Sequence, residues 1–498
     1  MTAKDKIHMR GFDAMKKIVS FVLALILCLT TFTTLAGASD IKGSIKVETR
    51  KIEKIEGDLS LKLIYPYFSG FNAASELNSI IQNRNISSIG YIRSNEAVIK
   101  DIKAQQEKAG EPAGNMSAFL ESYFDYNTSG SILSVVIHSS DYTGGAHGMS
   151  YMESYTVNTK TNEIYKTFGS LFDSKSNYNK VIQDKINKLI DKEKDMYFID
   201  AKETVAAKKG NYQFYFDGNK LVIYFGLYEL RPYAGGMPIF KIDAKELKGL
   251  LKSDIYTQMI NAKPLENVRF NGESLIPQPK TYTQEYNLMV PLQDIAKLLG
   301  YKATWSGGNG WEVAGGYVKN KVDSYSSSKS DGNVKLGLPP KAVGNIMYVP
   351  QTYFSMVLKE DVIYDGDALR IFKAESVNEG TFDQQIAEFE SPDTAEKAVN
   401  MYAKAAQERK GAIQYALYSD KLKAEKRAGF EEMNWVTGVS SPWISGYEIY
   451  EIDNESKKTY SVIFNWATSA GKSPDTKTIV TVEKIPQQEY WQITEVTE

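Results

Sequence analysis

Cysteine is nearly absent from this 498-residue sequence, and histidine is scarce. The one cysteine, Cys28, lies in an apolar N-terminal run, so the chain beyond it can form no disulfide, thiolate metal site or thiol nucleophile. His138 and His147 are the histidines that follow residue 38. A zinc hydrolase commonly needs two or three histidines with a carboxylate, and a serine triad needs a histidine beside an activated serine. The sequence therefore predicts no catalytic residue, no metal site and no cofactor.

Short catalytic motifs are missing as well. The sequence contains no His-x-x-x-His, no Gly-x-Ser-x-Gly and no Gly-x-x-x-x-Gly-Lys-Ser/Thr. Asp365-Gly-Asp367 lacks the spaced acceptors and the bidentate glutamate of a calcium loop, and we interpret it as a turn. Hydrolysis by a known motif is not expected.

An excess of positive charge is also lacking. Residues 1–38 hold five Lys/Arg and two Asp/Glu, which leaves 54 basic and 59 acidic residues in the rest of the chain. Proteins that bind nucleic acid rely on basic patches to neutralise phosphates. A nucleic-acid partner is therefore not expected.

The N-terminus carries the pattern of a secretory signal peptide over residues 1–38. Lys16-Lys17 precedes an apolar run from Ile18 to Leu29, and Ala36-Gly37-Ala38 is a small-x-small cleavage site. Translation from Met15 and an uncleaved anchor are the alternatives. After cleavage the protein would be secreted with no membrane contact, and a secreted chain without disulfides is typical of the exterior of Gram-positive bacteria.

The length predicts about three domains of an α+β class. We expect antiparallel sheets packed with helices, a small duplicated middle domain and a cone-like C-terminal domain able to enclose a pocket. The predicted boundaries are 39–255, 264–374, a polar linker at 375–391, and 392–498.

In the first domain, apolar periodicity predicts a helix carrying Ala73 to Ile81 and a second helix from Ala97 to Lys108. A meander of strands should follow, then a helix from Tyr178 and a hairpin around Asp217-Gly-Asn. The predicted meander strands are Phe119–Tyr126, Ile132–Ser139, Met149–Val157 and Glu163–Lys166. A short helix over Ala244–Leu251 should close this domain.

The middle domain contains an internal repeat. Val290 to Trp305 aligns with Val349 to Tyr364, 59 residues later, and each copy predicts a strand, a two-turn helix and a second strand. Two such half-units usually pack against each other. The last domain should have helices from about Thr394 and about Ala412, followed by four strands.

Two segments combine aromatic residues with glycines and predict shaped turns at strand ends. They are Tyr142-Thr-Gly-Gly-Ala-His-Gly148 and Phe225-Gly-Leu-Tyr-Glu-Leu-Arg-Pro-Tyr-Ala-Gly-Gly236. The partner-binding candidates within them are Tyr142, Gly144, Gly145, His147, Tyr228, Glu229, Arg231, Pro232 and Tyr233.

Each candidate also has a structural interpretation. The ring of His147 could bond the carbonyls of its own turn, and the pair Glu229 and Arg231 could order its loop. Alternation turns half of the aromatics between Tyr212 and Tyr228 into the core. His138 lies in an apolar strand and is interpreted as a strand residue without chemistry.

These segments, in this order, together with Phe168-Gly-Ser-Leu-Phe172 and the helix from Tyr178, resemble a pair of bacterial domains of unknown function over about residues 45–252. Such domains occur in the extracellular part of lysozyme-sensing anti-sigma factors and in the N-terminal part of some peptidoglycan N-deacetylases. The resemblance implies an extracellular α+β fold and, from the anti-sigma factors, binding of lysozyme.

Two features depart from these relatives. At most seventeen residues precede the apolar run, too few for the cytoplasmic segment of an anti-sigma factor, so sigma-factor control is not expected. No catalytic domain with metal-ligating His and Asp follows, so deacetylation is not expected.

The repeat at 290 and 349 resembles the copper amine oxidase N-terminal-like domain over about 264–374, a module that carries no copper ligands. Residues 392–498, with Trp435, Trp443, Trp466 and Trp491, are similar to the nuclear-transport-factor-two-like superfamily. We therefore expect a secreted, non-catalytic cell-surface protein that binds a protein, such as a lysozyme-type muramidase, or a peptidoglycan-related ligand. The alternatives are a peptidoglycan deacetylase or hydrolase with an unrecognised site, and a membrane-tethered sensor.

Overall fold

The computed structural model describes residues 45–110, 117–144, 146–377, 381–452, 458–484 and 490–498. The predicted signal peptide and Cys28 lie outside the described residues. The fold is α+β, as predicted, with several antiparallel sheets packed against helices.

Six of the seven strands of the first sheet lie side by side in the order of the chain. They are β1 (Lys46–Glu56), β2 (Leu59–Ser69), β3 (Ala118–Ser129), β4 (Ile132–Tyr142), β5 (Met149–Asn158) and β6 (Glu163–Ile164). The predicted meander is confirmed, because β3, β4, β5 and β6 pair antiparallel. The pair β2 and β3 is parallel. Parallel neighbours need a long crossover connection, and the segment between β2 and β3 provides it.

One helix, α1 (Ala74–Lys108), covers this sheet. The prediction of two separate helices is wrong, since the chain stays helical through Gly90. This glycine does not end the helix but allows a close contact. A Cβ atom added to Gly90 would lie 2.2 Å from Oγ of Ser391 and 3.0 Å from the ring of Phe389.

The next segment forms a second layer with its own core. Its elements are α2 (Tyr178–Lys192), α3 (Ala201–Ala207), β7 (Gln213–Asp217), β8 (Lys220–Tyr224), β9 (Ile239–Asp243) and α4 (Ser253–Met259). The predicted hairpin at Asp217-Gly-Asn is confirmed. The predicted helix 244–251 is shorter, a 3₁₀ turn over Ala244–Leu247. Strand β7 crosses the first sheet, where the amide of Phe216 donates to the Ser134 hydroxyl at 2.8 Å.

The repeat region forms small sheets around a third core. Its elements are β10 (Val268–Phe270), β11 (Glu273–Ser274), β12 (Tyr282–Gln284), β13 (Asn287–Pro291), α5 (Leu292–Leu298), β14 (Thr304–Trp305), β15 (Trp311–Val313), β16 (Gly316–Val318), β17 (Lys341–Val343), β18 (Ile346–Pro350), β19 (Asp361–Tyr364) and β20 (Leu369–Phe372).

The two repeat copies pack against each other through equivalent residues. Strands β13 and β18 pair antiparallel with Val290 opposite Val349, the positions that the 59-residue repeat equates. The helix predicted in the second copy is a five-residue π-helical turn, Tyr353–Val357. The copies therefore share a topology, while their helices differ in hydrogen-bond pattern.

Within the predicted linker at 375–391, the described residues 375–377 and 381–391 are built into the fold. Strand β21 (Ser376–Val377) pairs parallel with β1, and α6 (Thr381–Ile386) follows. Phe382, Ile386 and Phe389 are buried in the same core as α1. The prediction of a linker relied on the polar composition of the segment and overlooked these three apolar side chains.

The C-terminal region places three helices before a four-stranded antiparallel sheet. They are α7 (Ala395–Gln407), α8 (Gly411–Ala416), α9 (Asp420–Glu432), β22 (Trp443–Ile452), β23 (Lys458–Thr468), β24 (Gly471–Lys484) and β25 (Trp491–Thr497). The Ser419 side chain accepts from the amide of Leu422 and starts α9, a helix that the prediction did not separate from α8. One apolar core joins this region to α1 and β1–β5. The exact domain boundaries stay predictions.

Candidate functional site

The structure brings the two glycine and aromatic segments together. Residues 143–148 connect β4 to β5, and residues 225–238 connect β8 to β9. The second layer lies against β5, where the Ser154 hydroxyl contacts the Tyr224 hydroxyl at 3.0 Å. This packing brings both connections to the same end of the sheet.

His147, Tyr228 and Tyr233 form the centre of this meeting point, which we call the turn cluster. The rings of His147 and Tyr233 stack with centroids 4.0 Å apart. The ring of Tyr228 lies 5.7 Å from that of Tyr233. His147 and Tyr228 are exposed, and Tyr233 is half-buried. The result is an aromatic surface in contact with solvent.

Hydrogen bonds set the tautomer of His147. Its Nδ1 lies 3.0 Å from the carbonyl oxygen of Gly148, which can only accept, so Nδ1 carries the proton. Nε2 is then an acceptor for the Tyr228 hydroxyl at 3.0 Å. The Tyr233 hydroxyl donates to the same Gly148 carbonyl at 3.0 Å. Every ring of the turn cluster is therefore held in place by a directed contact.

Two positions of the first turn require glycine, one for its backbone conformation and one for a close contact. Gly144 has φ +95°, which side chains disfavour. A Cβ atom on Gly148 would lie 2.6 Å from the carbonyl oxygen of Asp141. The predicted candidate Gly145 lies outside the described residues. In the second turn, Tyr228 itself adopts a positive φ of 63°, an uncommon conformation for a bulky residue, and one often found at functional sites.

The charged candidates of the second turn order its backbone. Glu229 accepts from the amide of Gly226 at 2.8 Å and pairs with Lys208. Arg231 donates to the carbonyls of Gly236 at 3.1 Å and Met237 at 2.7 Å. Pro232 is exposed at the surface beside them.

Tyr142 does not join the turn cluster. Its ring stacks on Phe119 of β3, with centroids 6.0 Å apart. Because side chains alternate along β4, Tyr142 lies on the face of the sheet opposite to that of its neighbour Asp141. The remaining aromatic candidates, His147, Tyr228 and Tyr233, are the ones that meet.

A groove of about 610 Å³ lies next to the turn cluster, between α1 and the outer edge of β5, and we call it the α1 groove. Asp141 is buried in it, and burial raises the pKa of this carboxyl, while a hydrogen bond from Tyr151 acts in the opposite direction. Residues that line the groove include Arg84, Tyr91, Asp141, Tyr151, Glu153 and Leu227.

Sequence reasoning did not identify the α1 groove, although β4 carries a signal for it. The core-facing positions Leu133, Val135 and Ile137 are apolar, and the same alternation continues into the polar Ser139 and Asp141. Polar residues at positions that face inward indicate a place where the core opens.

A larger cleft of about 780 Å³ lies on the opposite face of the first sheet, against the second layer and the repeat region, and we call it the junction cleft. Asp125 is buried there between Arg269 at 2.5 Å and Arg370 at 2.9 Å. His138 contacts the same carboxylate at 3.2 Å and stacks on Tyr123.

Charge balance controls the protonation of Asp125. Burial by itself raises the pKa of this carboxyl, but the contact with His138 and the charges of Arg370 and Arg269 outweigh it and hold the pKa well below its usual range. Burial also raises the pKa of Tyr123 to about 12. His138, interpreted from the sequence as a plain strand residue, thus belongs to a buried ionic network.

In the described parts of the chain, no group of three or more His, Cys, Asp or Glu side chains could hold a metal ion. None of the helices described has the length and apolar character needed to cross a membrane.

Comparison with protein families assigns three segments. Residues 52–150 match the family described as Deacetylase PdaC, residues 169–245 match a protein family of unknown function (DUF3298), and residues 269–372 match the Copper amine oxidase N-terminal domain. The sequence resemblances over these segments are confirmed. The first turn belongs to the PdaC-like segment and the second turn to the DUF3298-like segment.

Comparison with solved structures finds DUF3298 family proteins. One, from Bacteroides fragilis, has 18% sequence identity and a TM-score of 0.36, and the match covers 44% of this chain and 98% of that chain. Another, from Pseudomonas aeruginosa, has 12% identity and a TM-score of 0.27, and the match covers 45% and 98%. These similarities carry no argument about function. No curated protein matches the chain.

The domain content is that of a cell-wall-related, extracellular or cell-surface protein. The resemblance of residues 392–498 to the nuclear-transport-factor-two-like superfamily stays a prediction.

Proposed function

We propose that this protein is a non-catalytic binding protein of the cell surface that recognises a protein or a peptidoglycan-related ligand through the turn cluster. The observation that carries the proposal is the internally fixed, solvent-facing set of His147, Tyr228 and Tyr233, whose chain neighbours Met149 and Leu227 line the α1 groove. Rigid aromatic side chains with polar tips are the residues that contribute most to recognition surfaces.

The charge of the chain favours a cationic partner. Beyond residue 38 the sequence has five more acidic than basic residues, and opposite charge increases the rate of association. A lysozyme-type muramidase is our first candidate partner. We propose that the protein is secreted and remains associated with the cell wall. The repeat region is proposed to add contacts with the wall.

The test uses the chain from residue 39 to its end, because one core joins its N-terminal and C-terminal parts. It is presented to an immobilised muramidase and, separately, to purified peptidoglycan. We expect retention on at least one of them. The double variant His147→Ala and Tyr233→Ala should weaken that binding at least about tenfold, since paired aromatic anchors carry much of an interface energy.

The matched control is Tyr450→Ala, because Tyr450 is exposed on β22 of the C-terminal sheet and belongs to neither the turn cluster nor the repeat region. Circular dichroism should be unchanged for all variants. No retention on either ligand would contradict the proposal, and release of acetate or of reducing ends from peptidoglycan would favour an enzyme instead. An intact-mass measurement of the secreted protein separates the cleaved form from a membrane-tethered sensor.

A further inference from the structure

Strand β5 has an open edge over residues 149–155. On one side this strand pairs with β4 along its whole length, from Met149 to Asn158. On the other side β6 pairs only with Val157 and Asn158. Within the described residues, no strand lies beside residues 149–155 on that side.

The direction of the backbone groups follows from one hydrogen bond. The amide of Tyr165 donates to the carbonyl of Thr156, so the backbone of Thr156 points away from β4. Backbone direction alternates along a strand. The amides and carbonyls of Ser150, Met152 and Ser154 therefore point outward along the open edge, about 6.8 Å apart in a regular strand.

The open edge lacks the usual protection against pairing. Native edge strands are commonly blocked by proline, lysine or a bulge. Residues 149–155 contain no proline and no lysine, and the pairing with β4 continues without a bulge. The one charged residue, Glu153, is paired with Arg84 of α1.

A cavity lies on each face of the sheet beside this edge. The α1 groove and the junction cleft both include Ser150, Tyr151, Met152 and Met237 in their linings. Side chains alternate between the two faces of a strand. A strand added beside β5 would direct its side chains alternately toward the α1 groove and the junction cleft.

The charges of both cavities favour cationic side chains. The α1 groove is lined by two carboxylates, Asp141 and Glu153, and by one cation, Arg84. The lining of the junction cleft has five Asp or Glu residues and four Lys or Arg residues. Asp141 is the clearest attractor, since it is buried and, among the described residues, no cation forms an ion pair with it.

We propose that the open edge of β5 accepts an extended segment of a partner protein that carries Lys or Arg, by strand addition. In this mode, backbone hydrogen bonds supply affinity, and pockets for alternate side chains supply specificity. The inference rests on the proposed function and deepens it, because it specifies a polypeptide and places it next to the turn cluster.

The test measures hydrogen exchange at single-residue resolution on the chain from residue 39, with and without two probes. One probe is the muramidase, and the other is a blocked octapeptide of alternating lysine and valine. We expect new protection at the amides of Ser150, Met152 and Ser154 with at least one probe. The amides of Tyr151 and Glu153 should be protected already, because they point toward β4.

A matched pair of variants tests the backbone contact. Ser150→Pro removes an outward amide and places a ring on the edge, so it should weaken binding of the same probe by about tenfold or more. Ser150→Ala keeps the amide and should leave binding within about twofold. Circular dichroism verifies that both variants keep the fold.

The outcomes separate this inference from the proposed function. Retention of muramidase or peptidoglycan that depends on His147 and Tyr233, without protection of the three amides by either probe, overturns the open edge and leaves the proposed function standing. Protection by the peptide with no retention on muramidase or peptidoglycan supports the edge and contradicts the proposed function.

Discussion

Two buried aspartates lie where the first sheet meets other parts of the chain, and their surroundings differ. Asp125 of β3 contacts two arginines and a histidine at the junction with the repeat region. Asp383 of α6 accepts from the Tyr65 hydroxyl at 2.5 Å, and Arg50 and Glu48 lie near enough to influence it. Burial raises the pKa of Asp383 to about 6, whereas the pKa of Asp125 is held low.

The difference teaches that burial alone does not decide the state of a carboxyl. Guanidinium groups in contact with Asp125 repay the loss of water around a charge, while a phenol and a more distant arginine do not do so for Asp383. The junction at Asp125 is therefore ionic, whereas the junction at Asp383 is more stable when this carboxyl is protonated. Stability should respond to pH with opposite signs at the two places.

The largest expected effect comes from Asp125→Asn. This change leaves Arg269 and Arg370 buried without their shared carboxylate, which should cost about 3–5 kcal/mol of unfolding free energy. Thermal unfolding followed by calorimetry measures the loss, with Asp367→Asn as the control, since Asp367 is exposed in the same cleft. The folded pKa of Asp125 is depressed, so its contribution is present above the unfolded pKa of about 3.9 and is lost as the pH falls further. A cost equal to that of the control would contradict the ionic description of this junction.

A smaller effect of opposite sign is expected for Asp383→Asn. A raised folded pKa means that the folded state binds the proton more tightly, so stability falls as the pH rises from about 4 through about 6. Asparagine is neutral and can still accept from Tyr65, so the variant should gain about 2 kcal/mol at pH 7.5 relative to the parent protein. Denaturant unfolding at pH 5 and pH 7.5 checks this, and an unchanged pH dependence in the variant would refute it.

The smallest effect concerns a glycine at the second junction. Gly90→Ala places a methyl group against Ser391 and Phe389 and should destabilise the protein by about 1–2 kcal/mol. The matched control is Gly429→Ala in α9, where no atom lies within 4 Å of the new Cβ. Because alanine has the higher helix propensity, the control should be more stable by about 0.5–1 kcal/mol. Melting temperatures that shift in the same direction would show that contact with residues 389–391 does not matter.

The elements that were predicted correctly are those encoded by a pattern among residues close together in the sequence. Alternation located β3, β4 and β5, the Asp217-Gly-Asn signal located the hairpin of β7 and β8, and the repeat predicted two half-units. The long helix α1 was predicted as two helices because the apolar periodicity was recognised only over Ala73–Ile81 and in a separate run, Ala97–Lys108. Tertiary contact with Phe389 and Ser391 explains why Gly90 is present within this helix.

The site was predictable in its parts and not in its assembly. Both turns were identified from glycine and aromatic content, yet their meeting depends on β7 crossing the first sheet, a long-range contact with no local signal. The ionic network joins Asp125 to Arg269, 144 residues away, and no spacing rule connects them. Likewise, the open edge of β5 follows from how short β6 is, a property of pairing that composition does not encode.

The pairing of Val290 with Val349 has a consequence for the engineering of the repeat region. Equivalent residues of two half-units face each other across a local twofold axis, which is the symmetry of a homodimer contained in one polypeptide. At this pair a single contact is made by both copies of one repeat position. The covalent connection between the halves includes the exposed residues 331–333, so a cut there would leave the pairing of β13 with β18 as the contact between the two half-units.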